Sequence, residues 1–216
     1  QQNQVLPLIS DLIDSIQPGE AKYMTTLDAM SGFLQIPLAK ECRKYTAFAA
    51  NNGQLWQMTK VPFGLHTSSG AFQAFINKTL GDLFFKGVLC YIDDIFIYAS
   101  TFERHLELLN EVITRLRRAG LKLKLSKCLF ARKSIKWLGY ILSENGIEAD
   151  SDKIETIKNS PKPKNVSEIR SFIGLTGWYR RLIQNYAAII RPLTQLTRKN
   201  VTFEWTEECE TAFQIL

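Results

Sequence analysis

The segment VLCYIDDIFIYA, residues 88–99, places two adjacent carboxylates, Asp93 and Asp94, inside an otherwise apolar run. The residues on either side are mostly β-branched or aromatic, and such residues favour a half-buried strand. A two-residue break rich in Asp between two such runs is typical of a hairpin turn. The segment therefore predicts an antiparallel hairpin. Its carboxylates have two interpretations at this point, a tight turn with solvated side chains or a cation site at the hairpin tip.

The flanking sequence alternates between helix and strand signals. The predicted elements are a helix over 5–16, a strand over 25–27 that ends at Asp28, a hairpin around 51–53, a helix over 67–80, a helix over 100–120, a hairpin over 134–146 and a helix over 166–185. The 100–120 helix begins at a Ser100–Glu103 capping box and ends at Gly120, and its apolar face consists of Leu106, Leu109, Ile113 and Leu116. This mixture predicts an α+β fold, followed after a boundary near 150 by a mainly helical part.

Composition narrows the class of partner. The chain has 216 residues and a net charge of +6, and residues 104–136 and 153–199 each contain ten Lys and Arg against two acidic residues. Such windows indicate either a solvated face or a polyanion partner. The four cysteines are scattered, which is typical of reduced intracellular thiols. No apolar run approaches the length of a membrane span, so we expect no membrane partner.

The carboxylates suggest a chemistry if the strands that carry them are neighbours. Asp28, Asp93 and Asp94 would then converge at one edge of a sheet, and clustered anions repel unless a cation offsets their charge. Hard divalent ions prefer oxygen ligands. Two such ions about 3.5–4 Å apart activate an attacking hydroxyl and stabilise a leaving phosphate oxygen. Beside basic surfaces, this constellation predicts phosphoryl transfer on nucleic acid.

Five motifs follow one another along the chain: TTLDAMSGFLQIPL (25–38), VPFGL (61–65) with AFQ (71–73) after it, YIDDI (91–95), WLGYILSENGI (137–147) and IRSFIGLTGWYRR (169–181). In that order and spacing they resemble the reverse transcriptases of gypsy-type long-terminal-repeat retrotransposons. The resemblance runs through essentially the whole chain. It implies a right-hand polymerase palm with partial fingers over 1–148, a mainly helical thumb over 149–200 and the start of a connection domain over 201–216.

The resemblance implies an RNA-directed DNA polymerase that extends a primer 3′-hydroxyl with two Mg²⁺ or Mn²⁺ ions. Its partners would be an RNA or DNA template with primer, a deoxynucleoside triphosphate (dNTP) and, as an open expectation, a second subunit in a homodimer or an asymmetric dimer. The location would be intracellular, in the cytoplasm and in a virus-like particle. The alternative is a host-retained or truncated module that binds nucleic acid or serves as a scaffold without catalysis.

The resemblance also assigns individual residues. Catalysis and metal binding fall to Asp28, Asp93 and Asp94; the nucleotide site to Ser31, Gly32, Phe33 and Phe63; the primer grip to Trp137, Leu138, Gly139 and Tyr140; and the template–primer minor-groove track to Arg170, Gly174 and Trp178.

Three of these positions also have a physical interpretation. A small residue at Gly32 would let phosphate oxygens approach the backbone. An aromatic ring at Phe33 would exclude a ribose 2′-hydroxyl. The spacing of four between Arg170, Gly174 and Trp178 predicts one helix face. The alternative for Phe33 and for Trp178 is packing in a core.

Two departures from the family pattern are present. Thr67-Ser68-Ser69 stands where family members usually have Asn-Ala-Pro after the P-F-G-L block. The fingers strands that family members carry ahead of the NQVLPL segment (3–8), and the RNase H and integrase regions, are not in this sequence. Because the first residue is Gln1, we expect a processed or truncated piece of a longer protein.

Overall fold

The structure, a computed structural model, describes residues 6–216. The strands are β1 (Tyr23–Asp28), β2 (Phe48–Ala49), β3 (Leu55–Trp56), β4 (Val88–Tyr91), β5 (Asp94–Ala99), β6 (Leu129–Arg132), β7 (Ser134–Trp137), β8 (Tyr140–Ser143) and β9 (Gly146–Ala149). The helices are α1 (Ile9–Asp14), α2 (Gly32–Gln35), α3 (Lys40–Arg43), α4 (Ser68–Leu80), α5 (Phe102–Arg118), α6 (Ser151–Lys158), α7 (Val166–Gly177), α8 (Tyr186–Ile189), α9 (Arg191–Gln195) and α10 (Glu207–Ile215). The first residue of the predicted 5–16 helix lies outside the described residues.

A four-stranded sheet with the order β4-β5-β1-β6 positions the predicted carboxylates. Strand β5 is antiparallel to both β4 and β1, which confirms the hairpin and the α+β class. The turn consists of Ile92 and Asp93 instead of the predicted Asp93–Asp94. Asp94 already belongs to the ladder, where it is opposite Tyr91 of β4 and Asp28 of β1.

Helices α4 and α5 supply much of the core that packs against this sheet. The fully buried side chains Phe72, Ile76 and Leu80 lie on one stripe of α4, as their spacing predicts. Strands β1, β4 and β5 contribute the other side of the same cluster through Leu27, Val88 and Ile95. Burial of these large apolar side chains stabilises the fold by about 1.5–3 kcal/mol each before entropy is subtracted.

Helix α5 corrects two predictions. Its N-cap is Thr101, whose hydroxyl accepts the Arg104 N–H, and not Ser100. The buried stripe is also different from the predicted one, because Leu106 is 47% exposed while His105 is fully buried and hydrogen-bonds Thr25 at 2.8 Å. The buried residues of α5 are His105, Leu108, Val112 and Leu116.

The chain forms two compact units, one of residues up to 138 with 142–146, and one of 139–141 with 147–216. The second unit has its own core, built from α7, α9 and α10 through Ile169, Phe172, Leu193, Cys209 and Ala212. The predicted boundaries at 148 and 200 stay predictions.

Helix α7 is shorter than its apolar pattern predicts. It ends at Gly177, whereas the prediction extended it to 185. A single 3-10 turn follows at Arg180–Leu182, and Leu182, an apolar residue of the predicted 166–185 helix, is 40% exposed. None of the helices within residues 6–216 combines the length and apolar character that crossing a bilayer requires.

Candidate active site

Three carboxylates meet at one end of the four-stranded sheet. Asp28 is the last residue of β1 and lies opposite Asp94, the first residue of β5. Directly opposite residues of an antiparallel pair share a face of the sheet. Asp93 precedes Asp94 in the turn, and its main-chain carbonyl accepts the Ala29 N–H at 3.3 Å. The structure therefore brings together the three residues to which the sequence assigns catalysis.

The electrostatics of this group reflect a shortage of positive charge. Burial, followed by the charges of Asp94 and Asp28, raises the pKa of Asp93 to about 6. The pKa of Asp94 is also raised, by loss of water around its carboxyl group and then by the charge of Asp28. Lys127 supplies a positive charge, and its Nζ lies 3.4 Å from Asp28 Oδ2. It lowers the pKa of Asp93 and of Asp94, but the pKa of each carboxyl group remains raised.

Gly32 gives the Asp93 carboxylate its place. A Cβ atom at residue 32 would lie 2.6 Å from Asp93 Oδ1 and 2.8 Å from the ring of Phe72. Asp93 Oδ1 is itself buried and has no hydrogen-bond partner among the described residues. The sequence interpretation attributed the small residue to the approach of phosphates, but the structure adds a different requirement, the approach of Asp93 and Phe72 to the Gly32 backbone.

The carboxylates do not form a complete cage by themselves. Across residues 6–216, no group of three or more His, Cys, Asp and Glu side chains converges closely enough to hold a metal ion. The assignment of metal binding to Asp28, Asp93 and Asp94 therefore stays a prediction. Asp28 faces Lys127, and Asp93 Oδ1 faces Gly32.

The donor set nevertheless fits a divalent cation that arrives with phosphates. Mg²⁺ is usually bound through one or two carboxylates, waters and substrate phosphates, and not by an all-protein cage. The unpartnered Asp93 oxygen and the raised pKa values of Asp93 and Asp94 are what such a cation would compensate.

Of the predicted nucleotide-site residues, Gly32 lies against the Asp93 carboxylate, and the two aromatic ones join the Phe72 ring that also lies against Gly32. The Phe33 ring meets Phe63 edge-on at 5.3 Å and Phe72 at 5.7 Å between centroids. Phe63 is 62% exposed, whereas Phe72 is fully buried. Phe33 is itself half-buried and contacts both the buried ring of Phe72 and the exposed ring of Phe63. Ser31, immediately before α2, is exposed and has φ +50°, in the left-handed region.

The predicted primer-grip segment is a tight turn between β7 and β8. Leu138 and Gly139 have φ values of +48° and +81°, and two successive positive φ values are typical of a hairpin turn of type I′. Trp137 is buried and stacks on Phe96 at 4.7 Å, and Tyr140 is buried as well. Only the turn residues can therefore meet a ligand without rearrangement of a buried ring.

The predicted minor-groove residues lie on the exposed side of α7 and at its end. A Cβ atom at Gly174 would meet nothing within 4 Å, so the helix surface is open there. Trp178 follows the last residue of α7 and is 45% exposed, which excludes burial in the core. Arg170 is exposed and donates to the Thr197 carbonyl at 3.3 Å.

Sequence reasoning missed two residues of the site. Gln73 of α4 is buried, accepts the Ile92 N–H at 2.8 Å and donates to the Cys90 carbonyl at 3.3 Å, so it fixes the hairpin turn. Its only signal was the AFQ motif. Lys127 is the second, and it stood undistinguished among the ten basic residues of the 104–136 window.

Comparison with known proteins identifies the family of the chain. The sequence profile of the family described as reverse transcriptase (RNA-dependent DNA polymerase) matches residues 4–142. The Pol polyprotein from transposon 412 of Drosophila melanogaster is 36% identical over 208 residues, 96% of this chain and 17% of that protein. The Pol polyprotein from transposon gypsy of the same organism is 34% identical, over 92% of this chain and 20% of its own length. The chain thus spans about a fifth or less of these relatives.

Solved structures extend the similarity to the fold. The foamy viral protease–reverse transcriptase in complex with double-stranded DNA superimposes with a TM-score of 0.84 at 28% identity, over 98% of this chain and 38% of that one. The same viral protein in complex with an RNA/DNA hybrid gives a TM-score of 0.81 at 27% identity, over 98% and 28%.

Proposed function

Because the chain belongs to the reverse transcriptase family, we propose that it carries the polymerase centre of an RNA-directed DNA polymerase. In this reaction a primer 3′-hydroxyl attacks the α-phosphate of a dNTP, and pyrophosphate leaves. The observation that carries the proposal is the carboxylate group at the sheet end, where Asp28 and Asp94 are opposite each other and Asp93 stands in the adjoining turn.

The three carboxylates have distinct tasks in this proposal. Asp28 and Asp93 would hold the two Mg²⁺ or Mn²⁺ ions, and Asp94 would support them with its charge. When bound, such ions polarise the phosphate and lower the pKa of the attacking hydroxyl. The protein contributes spacing, since the β1–β5 ladder fixes Asp28 against Asp94, and Gly32 leaves room for Asp93.

The dNTP and the template–primer occupy separate parts of the chain in the proposal. Phe33 and Phe63, with the backbone at Ser31 and Gly32, take the nucleotide, because the exposed ring of Phe63 packs on Phe33, which directly follows the glycine that contacts Asp93. The turn at 138–139 takes the primer end. The exposed α7 face takes the duplex, and the complexes of the foamy viral protein with duplex DNA and RNA/DNA hybrid support this choice of partner.

Replacement of Asp93 tests the proposal. Asp93→Asn keeps the volume of the side chain and removes its charge, so we expect primer extension to fall by about 100-fold or more while template–primer affinity stays within about twofold. The measurement is extension of a labelled primer, with duplex binding in parallel, in the complete natural polypeptide that carries this chain.

The matched control is Asp82→Asn, which removes a surface carboxylate paired with Arg115. It should extend the primer as the wild type does. Extension by the Asp93 variant at a near wild-type rate would refute the catalytic assignment and favour a nucleic-acid-binding or scaffold role.

A further inference from the structure

Two tyrosines join the 138–139 turn to the end of α7 by reciprocal hydrogen bonds. Tyr140 Oη donates to the Trp178 carbonyl at 2.7 Å, and Tyr179 Oη donates to the Gly139 carbonyl at 2.9 Å. The two rings meet edge to face at 5.5 Å. We call Tyr140 and Tyr179 with these two bonds the tyrosine clasp. Each hydroxyl donates to the main-chain carbonyl of the residue that precedes the other tyrosine, so both bonds stabilise the same contact between the turn and the end of α7.

The clasp is buried and tightly packed. Tyr140 is 3% and Tyr179 5% exposed. A Cβ atom on Gly139 would lie 3.0 Å from the indole Nε1 of Trp178, and the φ of +81° would strain any other residue there. Burial, and then the charge of Asp150, raises the pKa of Tyr179, so its hydroxyl remains a donor. The indole of Trp178 is thus held directly against the turn.

A groove of about 460 Å³ runs along the clasp within the same unit of the chain. Its lining combines an apolar surface with one cation, Lys153. The other lining residues are Gly139, Ser171, Gly174, Leu175, Trp178 and Tyr179. The sugar edges of a nucleic-acid duplex fit this surface, because it offers a flat ring, an open glycine and a charge for a phosphate.

We infer that the clasp is a positioning device for the primer. It holds the turn, which contacts the primer end, at a fixed spacing from Trp178, which contacts the duplex. A change in the clasp therefore alters both the binding of the duplex and the alignment of the primer 3′ end. This inference rests on the proposed function. Tyr140 and Tyr179 touch no reacting atom and act through Gly139 and Trp178.

The physical reason is the cost of losing a hydrogen bond at a shared contact. Loss of the Tyr140 hydroxyl removes its bond to the Trp178 carbonyl, and loss of the Tyr179 hydroxyl leaves the Gly139 carbonyl with only the longer bond of 3.4 Å from the Asp150 N–H. Either loss weakens the contact that the other hydroxyl also closes. Residues that share one contact give non-additive effects when both are changed. A pair of independent bonds would give effects that multiply.

The test uses Tyr140→Phe, Tyr179→Phe and the double variant in the complete natural polypeptide. Two quantities are measured, the rate of first-nucleotide addition and the number of nucleotides added per binding event. Each single variant should lower both by about two- to tenfold, and the double variant by clearly less than the product of the two. Thermal unfolding verifies that each variant is folded.

Tyr186→Phe is the matched control. Its hydroxyl lies within the same unit and bonds Thr176 Oγ1 at 3.1 Å and the Ile173 carbonyl at 3.4 Å, away from the turn. It should change neither quantity. Wild-type values for Tyr179→Phe, a loss in only one quantity, or multiplicative losses in the double variant would overturn the inference. Failure of the wild type to extend a primer would instead overturn the proposed function on which it rests.

Discussion

Replacement of Gly32 by alanine is expected to impair catalysis by moving Asp93. The added methyl would lie 2.6 Å from Asp93 Oδ1, about 0.8 Å inside the ordinary contact distance of 3.4 Å, and 2.8 Å from two ring atoms of Phe72. Phe72 is fully buried in the core, whereas Asp93 stands in a turn, so we expect the carboxylate to be the group that moves. Backbone strain does not contribute, because Gly32 is not among the residues with positive φ.

The size of the effect follows from this overlap. Overpacking costs about 1–3 kcal/mol. If the cost appears as displacement of Asp93 in the transition state, each 1.4 kcal/mol is about tenfold, so we expect a loss of about 5- to 150-fold in the rate of first-nucleotide addition. The assay is single-turnover primer extension at saturating template–primer and dNTP, with thermal unfolding measured in parallel.

Gly174→Ala is the control for stability, because its new methyl would meet nothing within 4 Å on α7. Removal of a helical glycine should raise the free energy of unfolding by about 0.5–1 kcal/mol. A Gly32→Ala enzyme that adds the first nucleotide at the wild-type rate would refute the reasoning that Gly32 places the Asp93 carboxylate.

Three further predictions test other parts of the chain. Phe33→Val should raise ribonucleotide incorporation relative to deoxynucleotide by about tenfold, since a ring in contact with the sugar excludes a 2′-hydroxyl; an unchanged ratio in competition assays would contradict this. Duplex affinity should fall steeply with salt, and Arg170→Ala and Trp178→Ala should shorten the products of each binding event; a binding constant independent of salt would exclude the phosphate contacts. Hydrogen bonds from Lys162 and other side chains lower the pKa of Glu210 to about 2, so its contribution to stability is present above about pH 4.5 and disappears as the pH falls through about 2. Glu210→Gln should remove that part of the pH dependence from thermal unfolding, and an unaltered profile would show that the ion pair contributes nothing.

Local chemistry was sufficient to predict the elements that carry the carboxylates. The apolar runs on either side of Asp93 and Asp94, and the short apolar run before Asp28, are each a strand signal carried by a few consecutive residues. The antiparallel hairpin followed from the two runs that flank Asp93 and Asp94. The family resemblance, and not periodicity, assigned the residues around them. Their roles remain predictions.

Long-range partners explain what the sequence could not predict. Ser100 and Thr101 are both good N-cap residues, so the sequence alone does not decide between them. In the structure β5 pairs with β1 as far as Ala99, and the helix then begins with Thr101 as its N-cap. His105 can be buried because its ring nitrogen has a hydrogen-bond partner in Thr25. The sequence pattern of the helix could not predict this, because Thr25 lies 80 residues earlier in the chain. The contact of Gly32 with Asp93 likewise joins residues far apart in sequence, and no spacing pattern reports it.

The turn residue Ile92 shows how stability and placement of the carboxylate conflict at one position. A β-branched residue with φ +53° is an outlier that costs on the order of 1–3 kcal/mol. Its side chain packs against the core, and its N–H is held by the Gln73 amide, which also donates to Cys90. Glutamate at position 73 would lose the N–H that donates to the Cys90 carbonyl, and a hydrocarbon side chain there would also lose the oxygen that accepts the Ile92 N–H. Tolerance of the strained turn therefore depends in part on an amide side chain in a different element, so substitutions at residues 92 and 73 should have coupled effects on stability.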